Sequence, residues 1–117
     1  MVNRGWGRVI TISSGAALIG LRQGVSVYAG AKGAAISFMR HLAVESGGTG
    51  VTANTVAVGF QTPQTWTPIH VRIVKSTPAG RLGRPDDIGA FVLYLPSNEG
   101  EWMTGQTFQL NGGGTTT

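Results

Sequence analysis

The chain has 117 residues, 41% hydrophobic and 12% charged, a balance that excludes intrinsic disorder. Nine Lys and Arg against five Asp and Glu give a net charge of +4, but the basic residues are scattered and no aromatic recognition element accompanies them, so nucleic-acid binding is not predicted. The absence of cysteine excludes disulfides, thiolate metal sites and a cysteine nucleophile.

The first half of the sequence reads as strand, helix, strand. RVITISS, residues 8–14, is short, rich in β-branched side chains and flanked by glycine, as expected of a buried strand. A long helix is predicted over residues 26–46, and SGGTG ends it. VTANTVAV, residues 51–58, is a second strand that ends at Gly59. The helix has its apolar residues at helical spacing: Ile36, Met39, Leu42 and Ala43.

Residues 60–80 contain three prolines and predict an irregular connection with a short helix over 68–76. A clearer helix starts at Pro85, because proline suits a first helical position and the two aspartates after it favour the positive end of the helix dipole. Its apolar face is formed by Ile88, Phe91, Val92 and Leu95, and Pro96 should end it early.

QTFQL, residues 106–110, predicts a third strand, and NGGGTTT, residues 111–117, predicts a frayed tail. Strands that alternate with helices imply right-handed crossovers and a parallel sheet. The fold class is therefore α/β, with three parallel strands and flanking helices in one domain.

The amino-terminal segment MVNRGWGRVI lacks the apolar core of a signal peptide, and the apolar runs of the chain are too short to span a bilayer. We therefore expect a soluble, cytoplasmic protein without membrane association. His41 and His70 have no partner at metal-ligand spacing, so no metal site is predicted and surface or capping roles are expected.

A candidate catalytic group lies around the first crossover. In parallel sheets ligands bind at the carboxyl ends of the strands, where Ser14 and Gly59 fall. Tyr28 and Lys32 are four residues apart on one helix face, so the ammonium can favour the phenolate and make Tyr28 a usable acid or base. A serine hydroxyl could orient the same substrate oxygen. The set suits interconversion of a carbonyl and an alcohol with a hydride carrier, although a Tyr-x-x-x-Lys pair alone also fits a solvated helix surface.

The order of motifs decides between these interpretations. GRVITISS, YAGAKGA, VTANTVAVG, GRLGRPDDIGAFVLYL and TGQTFQLNGG closely resemble, in this order, the carboxyl-terminal half of the short-chain dehydrogenase/reductase family. The resemblance runs from Gly5 to Gly113 and implies a partial Rossmann-like, doubly wound fold that lacks the amino-terminal nucleotide-binding half. It also implies an oxidoreductase that uses NAD or NADP on a small carbonyl or alcohol substrate.

By position, the resemblance implies that Ser14, Tyr28 and Lys32 are catalytic, and that Lys32, with Tyr28, also contacts the cofactor. The turn after the second strand implies nicotinamide contacts from Gly59, Gln61 and Thr62; a side chain at position 59 would obstruct the ring.

Several positions depart from the family pattern. Val58 replaces the usual proline, the GFQTP segment is one residue shorter, and the loop before Tyr28 is one residue longer, which leaves Ser14 or Ser13 as the catalytic serine, with Ser14 preferred. Phe60 and Trp66 are candidate apolar walls of a substrate site.

No glycine-rich turn between a strand and a helix is found, so the sequence does not distinguish NAD from NADP and independent activity of the 117 residues is doubtful. The alternative hypothesis is a non-catalytic half-domain that acts as an interaction or oligomerisation partner, because the first strand has an unpaired apolar edge. The long helix carries small residues that permit close packing, either on its own sheet or in the homo-oligomer that the family implies: Ala29, Gly30, Gly33, Ala34 and Ala35.

Overall fold

A computed structural model describes residues 1–116 and contains one three-stranded sheet. Its strands are β1 (Gly7–Ser14), β2 (Val51–Val58) and β3 (Thr107–Leu110), which are parallel and lie in the order β1-β2-β3. The three strands and their order confirm the predicted α/β class, and each parallel connection contains at least one helix.

Strands β1 and β2 pair over their whole length, from Gly7 opposite Val51 to Ser14 opposite Val58. The Gly7 N–H donates to the Gly50 carbonyl. The N–H and C=O groups of one residue in a parallel strand point to the same side. The backbone groups of the odd residues of β1 therefore point towards β2, and those of the even residues point to the outward edge. No strand within residues 1–116 pairs with that outward edge.

Helix α1 (Ser26–Glu45) packs against β1 and β2 and forms the core of the molecule. Met39 and Ala43 are buried against Ala53 of β2, with Val9 and Leu42 packed beside them. The helix ends where the Ser46 Oγ donates to the Leu42 carbonyl at 2.7 Å. At 20 residues α1 is the longest helix, and neither it nor another helix within residues 1–116 is apolar enough to cross a membrane.

Two shorter helices follow β2, namely α2 (Pro68–Ser76) and α3 (Pro85–Tyr94), both close to their predicted bounds. The Phe91 ring of α3 meets the Phe108 ring of β3 edge to face, with centroids 5.0 Å apart. Phe108 pairs with Val56, whose side chain points away from α1, so α3 covers the opposite face of the sheet. The helix stops two residues before Pro96, as expected. Single 3₁₀ turns lie at Val2–Arg4, Gly15–Ala17 and Asn98–Gly100.

A buried amide joins β3 to β2. Asn54 is almost completely buried, its Nδ2 donates to the Met103 carbonyl at 2.7 Å, and its Oδ1 accepts from the Gln106 N–H at 3.1 Å. Because both ends of the amide are satisfied, this polar group fixes the entry of β3 without the cost of an orphaned donor or acceptor.

The segment after β3 corrects the prediction of a frayed tail. Asn111 Nδ2 donates to the Thr115 carbonyl at 2.8 Å, its Oδ1 accepts from the Gly113 N–H at 2.9 Å, and the Gly112 carbonyl accepts from Ala79 N–H. The segment therefore turns back over the carboxyl end of the sheet and is held by an asparagine side chain, a long-range arrangement that glycine content does not reveal. Thr117 lies outside the described residues.

Candidate active site

A cleft of ≈ 1020 Å³ lies at the carboxyl ends of the strands, where ligands of open parallel sheets bind. The predicted site residues Ser14, Tyr28, Gly59 and Gln61 line it, whereas Lys32 and Thr62 do not. Most of the remaining wall is apolar, and it includes the predicted Phe60 but not Trp66. Aliphatic wall residues that the sequence analysis did not single out are Ile19, Leu21, Val25, Ile69 and Ile73.

The two serines at the end of β1 have different positions. Ser13 is only 1% exposed, and its Oγ donates to the Lys32 carbonyl at 3.0 Å, so its hydroxyl ties α1 to the sheet. Ser14 borders the cleft, and its Oγ accepts from the Ala16 N–H at 3.2 Å. The Ser14 hydroxyl hydrogen therefore remains available to a ligand, which supports the preference for Ser14 over Ser13.

Tyr28 and Lys32 lie on the first two turns of α1, on the side of the helix that faces the sheet. Tyr28 is 49% exposed and borders the cleft, and the Lys32 Nζ lies 5.9 Å from the centroid of its ring. The four-residue spacing thus places the cation beside the aromatic ring, as helix geometry requires.

The Lys32 ammonium also donates to the Ile12 carbonyl at 3.1 Å. Ile12 is an even residue of β1, so this carbonyl lies on the outward edge of the strand. In the described residues the lysine is therefore bound to the unpaired strand edge rather than directed into the cleft.

The turn after β2 brings two further candidates together. Gln61 borders the cleft, its Nε2 donates to the Gly59 carbonyl at 3.0 Å, and its Oε1 is buried without a hydrogen-bond partner. Thr62 directs both its N–H and its Oγ1 to the Gly83 carbonyl, each at 2.8 Å. Thr62 therefore anchors the connection to the segment before α3, and its contact with a cofactor stays a prediction.

The structure gives glycine at position 59 a second reason, beside the predicted approach of a nicotinamide ring. A Cβ at position 59 would lie 2.8 Å from the Cα and 2.9 Å from the Cβ of Asn111, closer than such atoms approach. The Gly59 N–H donates to the Leu110 carbonyl at 2.9 Å, which fixes this contact. The tail thus passes directly over Gly59, so close packing of two backbones explains the glycine without a ligand.

A charged pair at the rim of the cleft was not predicted. The Arg81 guanidinium binds both carboxylate oxygens of Asp87, at 2.6 and 2.8 Å, and Asp87 also accepts from the Arg84 N–H at 2.7 Å. The Arg81 hydrogen bond is the main reason that the pKa of Asp87 falls to about 2, and the Arg84 hydrogen bond contributes next. The signal in the sequence was an acidic residue at the third helical position, two residues after Pro85, which is typical of a capping residue.

The histidines follow the expected surface and capping roles. His41 is exposed on α1, whereas His70 Nδ1 accepts from the Thr67 N–H at 3.0 Å at the start of α2. Trp66, outside the cleft, packs against the His70 ring with centroids 6.0 Å apart. Within residues 1–116 no three side chains of His, Asp or Glu gather as a metal site would require.

Three parallel strands, helices on both faces and a cleft at the carboxyl ends of the strands define a partial Rossmann-type unit. The family model described as enoyl-(acyl carrier protein) reductase matches residues 1–115. The chain belongs to the short-chain dehydrogenase/reductase family, and its relatives in that family are oxidoreductases.

Individual relatives agree with this assignment. The chain is 41% identical to nodulation protein G of Azospirillum brasilense, covering 97% of this chain and 47% of that protein. It is 38% identical to 3-oxoacyl-[acyl-carrier-protein] reductase FabG of Salmonella typhimurium, covering 97% of this chain and 48% of that protein. A crystal structure of a 3-oxoacyl-[acyl-carrier protein] reductase with bound NAD from Brucella melitensis is 34% identical, with a TM-score of 0.88 over 97% of this chain and 42% of that one. The chain spans about half the length of the relatives it matches.

Proposed function

We propose that this chain supplies the catalytic side of an NAD- or NADP-dependent oxidoreductase that interconverts a small carbonyl compound and its alcohol. The observation that carries the proposal is the shared cleft: Ser14 and Tyr28 border it together, and the Lys32 ammonium lies beside the Tyr28 ring. Membership of an oxidoreductase family supports the same reaction class.

In the proposed reaction Tyr28 is the proton donor and acceptor. During reduction its phenol gives a proton to the carbonyl oxygen of the substrate, and during oxidation the phenolate takes that proton back. The Ser14 hydroxyl donates a hydrogen bond to the same oxygen and holds it near the phenol. The Lys32 ammonium stabilises the negative charge that develops on the phenol oxygen. It does so from its position at the Ile12 carbonyl or after leaving that carbonyl.

A nicotinamide cofactor, when bound, supplies the hydride that reduction adds to the carbonyl carbon. The residues present fit the nicotinamide end of such a group: the Gln61 Oε1 is buried without a partner and would accept from a carboxamide N–H once the side chain turns towards the cleft. Tyr28, Lys32, Gly59 and Thr62 are the other proposed contacts. No GxGxxG turn leads from a strand into a helix within residues 1–116, so a pyrophosphate site is not among the proposed contacts.

The binding part of the proposal is tested with a probe that lacks the adenosine half. Reduced nicotinamide mononucleotide and NADH are titrated separately into the ¹⁵N-labelled chain, and amide shifts are followed. We expect both to move the Gly59 and Gln61 amides with similar, weak affinity, because only the nicotinamide end has contacts here. No movement of these amides at millimolar concentrations would contradict the proposal.

The catalytic part is tested by turnover of a small ketone with NADH or NADPH by the chain and two variants. Tyr28→Phe should remove the reduction of the ketone, because phenylalanine has no proton to give. Tyr94→Phe is the matched control, since Tyr94 lies on α3 outside the cleft. Equal turnover by the chain and by Tyr28→Phe would exclude Tyr28 as the proton donor. Because independent activity of the 117 residues is doubtful, absence of turnover in the unchanged chain favours the following alternative only together with absence of nicotinamide binding.

A second candidate function is that of an interaction partner without catalysis. It is favoured by the outer face of α1, where Val27 is 87%, Phe38 65% and Val44 81% exposed. Val27 and Phe38, eleven residues apart, lie on the same side of the helix, and exposed apolar side chains on one side commonly mark a protein contact. Sedimentation analysis of the chain and of Phe38→Glu separates this case: an oligomer that Phe38→Glu disperses, combined with no binding of nucleotide, would support the interaction role.

A further inference from the structure

One wall of the cleft is a helix with little support from the rest of the fold. Helix α2 has nine residues, and none of residues 68–76 is buried, yet its Ile69 and Ile73 line the cleft. Isolated helices shorter than ~12 residues are marginally stable in water. The persistence of α2 must therefore depend strongly on the groups that cap its two ends.

One half of the reciprocal cap at the amino end is an imidazole, and the other half is the Thr67 side chain, which accepts from the His70 N–H. His70 Nδ1 accepts from the Thr67 N–H at 3.0 Å and lies 2.8 Å from the Thr67 Oγ1. In the usual reciprocal cap this acceptor is a Glu or Gln side chain, which still accepts when the solution becomes mildly acidic. An imidazole nitrogen accepts only while it is unprotonated, and histidine ordinarily changes charge between pH 5 and 8.

We infer that His70 makes the α2 wall of the cleft a pH-sensitive element, closed and helical when the imidazole is neutral and loosened when it is protonated. Protonated Nδ1 can still donate to the Thr67 Oγ1, but it no longer accepts from the Thr67 N–H. The imidazolium also places a positive charge at the positive end of the helix dipole. Both effects act against the first turn of α2, which carries Ile69.

The surroundings of His70 do not offset that charge. The ring contacts Thr67 and Trp66, which are uncharged, and the charged residues further along α2 are Arg72 and Lys75, both cationic. The titratable side chains that line the cleft opposite α2 are Tyr28, Arg81 and Asp87, and the carboxylate of Asp87 is already paired with Arg81. The inference rests on these contacts and does not depend on the proposed oxidoreductase activity.

The test compares the chain with His70→Gln and with His41→Gln. Glutamine at position 70 can accept from the Thr67 N–H without titrating, and His41 is the other histidine, exposed on α1. NMR follows the His70 ring signals, the Thr67 amide and the hydrogen exchange of residues 69–74 from pH 8 to pH 5, with exchange corrected for its intrinsic pH dependence.

We expect protection of the α2 amides to fall roughly three- to tenfold, the ordinary effect of losing one helix cap. The pH midpoint of this fall should coincide with the midpoint of the change in the His70 ring signals. His41→Gln should behave in the same way, and His70→Gln should stay flat. The inference is overturned if the α2 amides are unprotected at pH 8, if their protection is unchanged while His70 titrates, or if His70→Gln loses protection to the same extent.

Discussion

Helices α1 and α2 both border the same cleft, but they are held in place by different forces. Helix α1 buries Ile36, Met39 and Ala43 against the sheet, whereas residues 68–76 of α2 contain no buried side chain. Burial of apolar surface stabilises a helix by several kcal/mol, while a cap contributes about 1 kcal/mol. The contrast indicates that the cleft has one fixed wall and one adjustable wall.

The division matches the proposed division of labour. Tyr28 and Lys32 project from the fixed helix, and Ser14 ends a strand paired along its whole length, so the proposed catalytic groups are held by the packed layer. Ile69 and Ile73, which would contact the body of a substrate, project from the adjustable helix. Precise geometry is needed where protons move, whereas a surface that accommodates ligands tolerates motion.

The strongest way to break this contrast is to remove the packing of α1. Met39→Ala deletes a side chain that is 2% exposed and should lower the free energy of unfolding by roughly 2–5 kcal/mol, from lost burial and the cavity left behind. Phe38→Ala is the matched control, because Phe38 is the neighbouring residue and faces outward. Urea unfolding followed by circular dichroism measures both; similar losses for the two variants would show that α1 does not pack as described.

A smaller loss of stability is expected where the tail after β3 crosses Gly59. Gly59→Ala forces the new Cβ against the backbone of Asn111 and should cost about 1–3 kcal/mol, with release of the tail over the cleft. Gly30→Ala supplies the comparison, since position 30 has open space and lies within α1. There alanine should stabilise the chain by about 1 kcal/mol through its helix propensity. The same urea unfolding decides the matter, and a stabilising Gly59→Ala would refute the close contact.

The sequence predicted the helices and strands, including α2 over residues 68–76, better than the segment after β3. Strand β2 was predicted at its observed bounds because a β-branched run between glycines is a local signal, and α1 followed from the spacing of Ile36, Met39 and Ala43. The tail was mispredicted because its order depends on Asn111 side-chain hydrogen bonds with Thr115 and on contact with residues more than 30 positions away. Such long-range contacts leave no periodic pattern in the sequence.

For the site, local spacing placed Ser14 and Tyr28 at the cleft, because strand ends and helix turns determine where those residues lie. The same spacing did not reveal that Lys32 would donate to Ile12, since that bond depends on a strand edge without a partner in the described residues. It also did not reveal that Thr62 would turn both donors to Gly83, on a segment 21 residues further along the chain.

The smallest effect concerns the polar contacts at the start of α3. The pKa of the Asp87 carboxyl falls from 3.8 to about 2, chiefly through Arg81 and then through the Arg84 N–H. A carboxyl with a lowered pKa contributes stability above its unfolded value, and that contribution disappears as the pH falls through about 4 towards about 2. The pair is exposed, so the effect should be small and should shrink further in high salt.

Asp87→Asn should flatten the loss of stability across this window in urea unfolding, whereas Asp86→Asn, one residue away and without that arginine, should leave it nearly unchanged. Equal flattening by both variants would mean that the helix dipole, rather than Arg81, accounts for the carboxylate's contribution to stability.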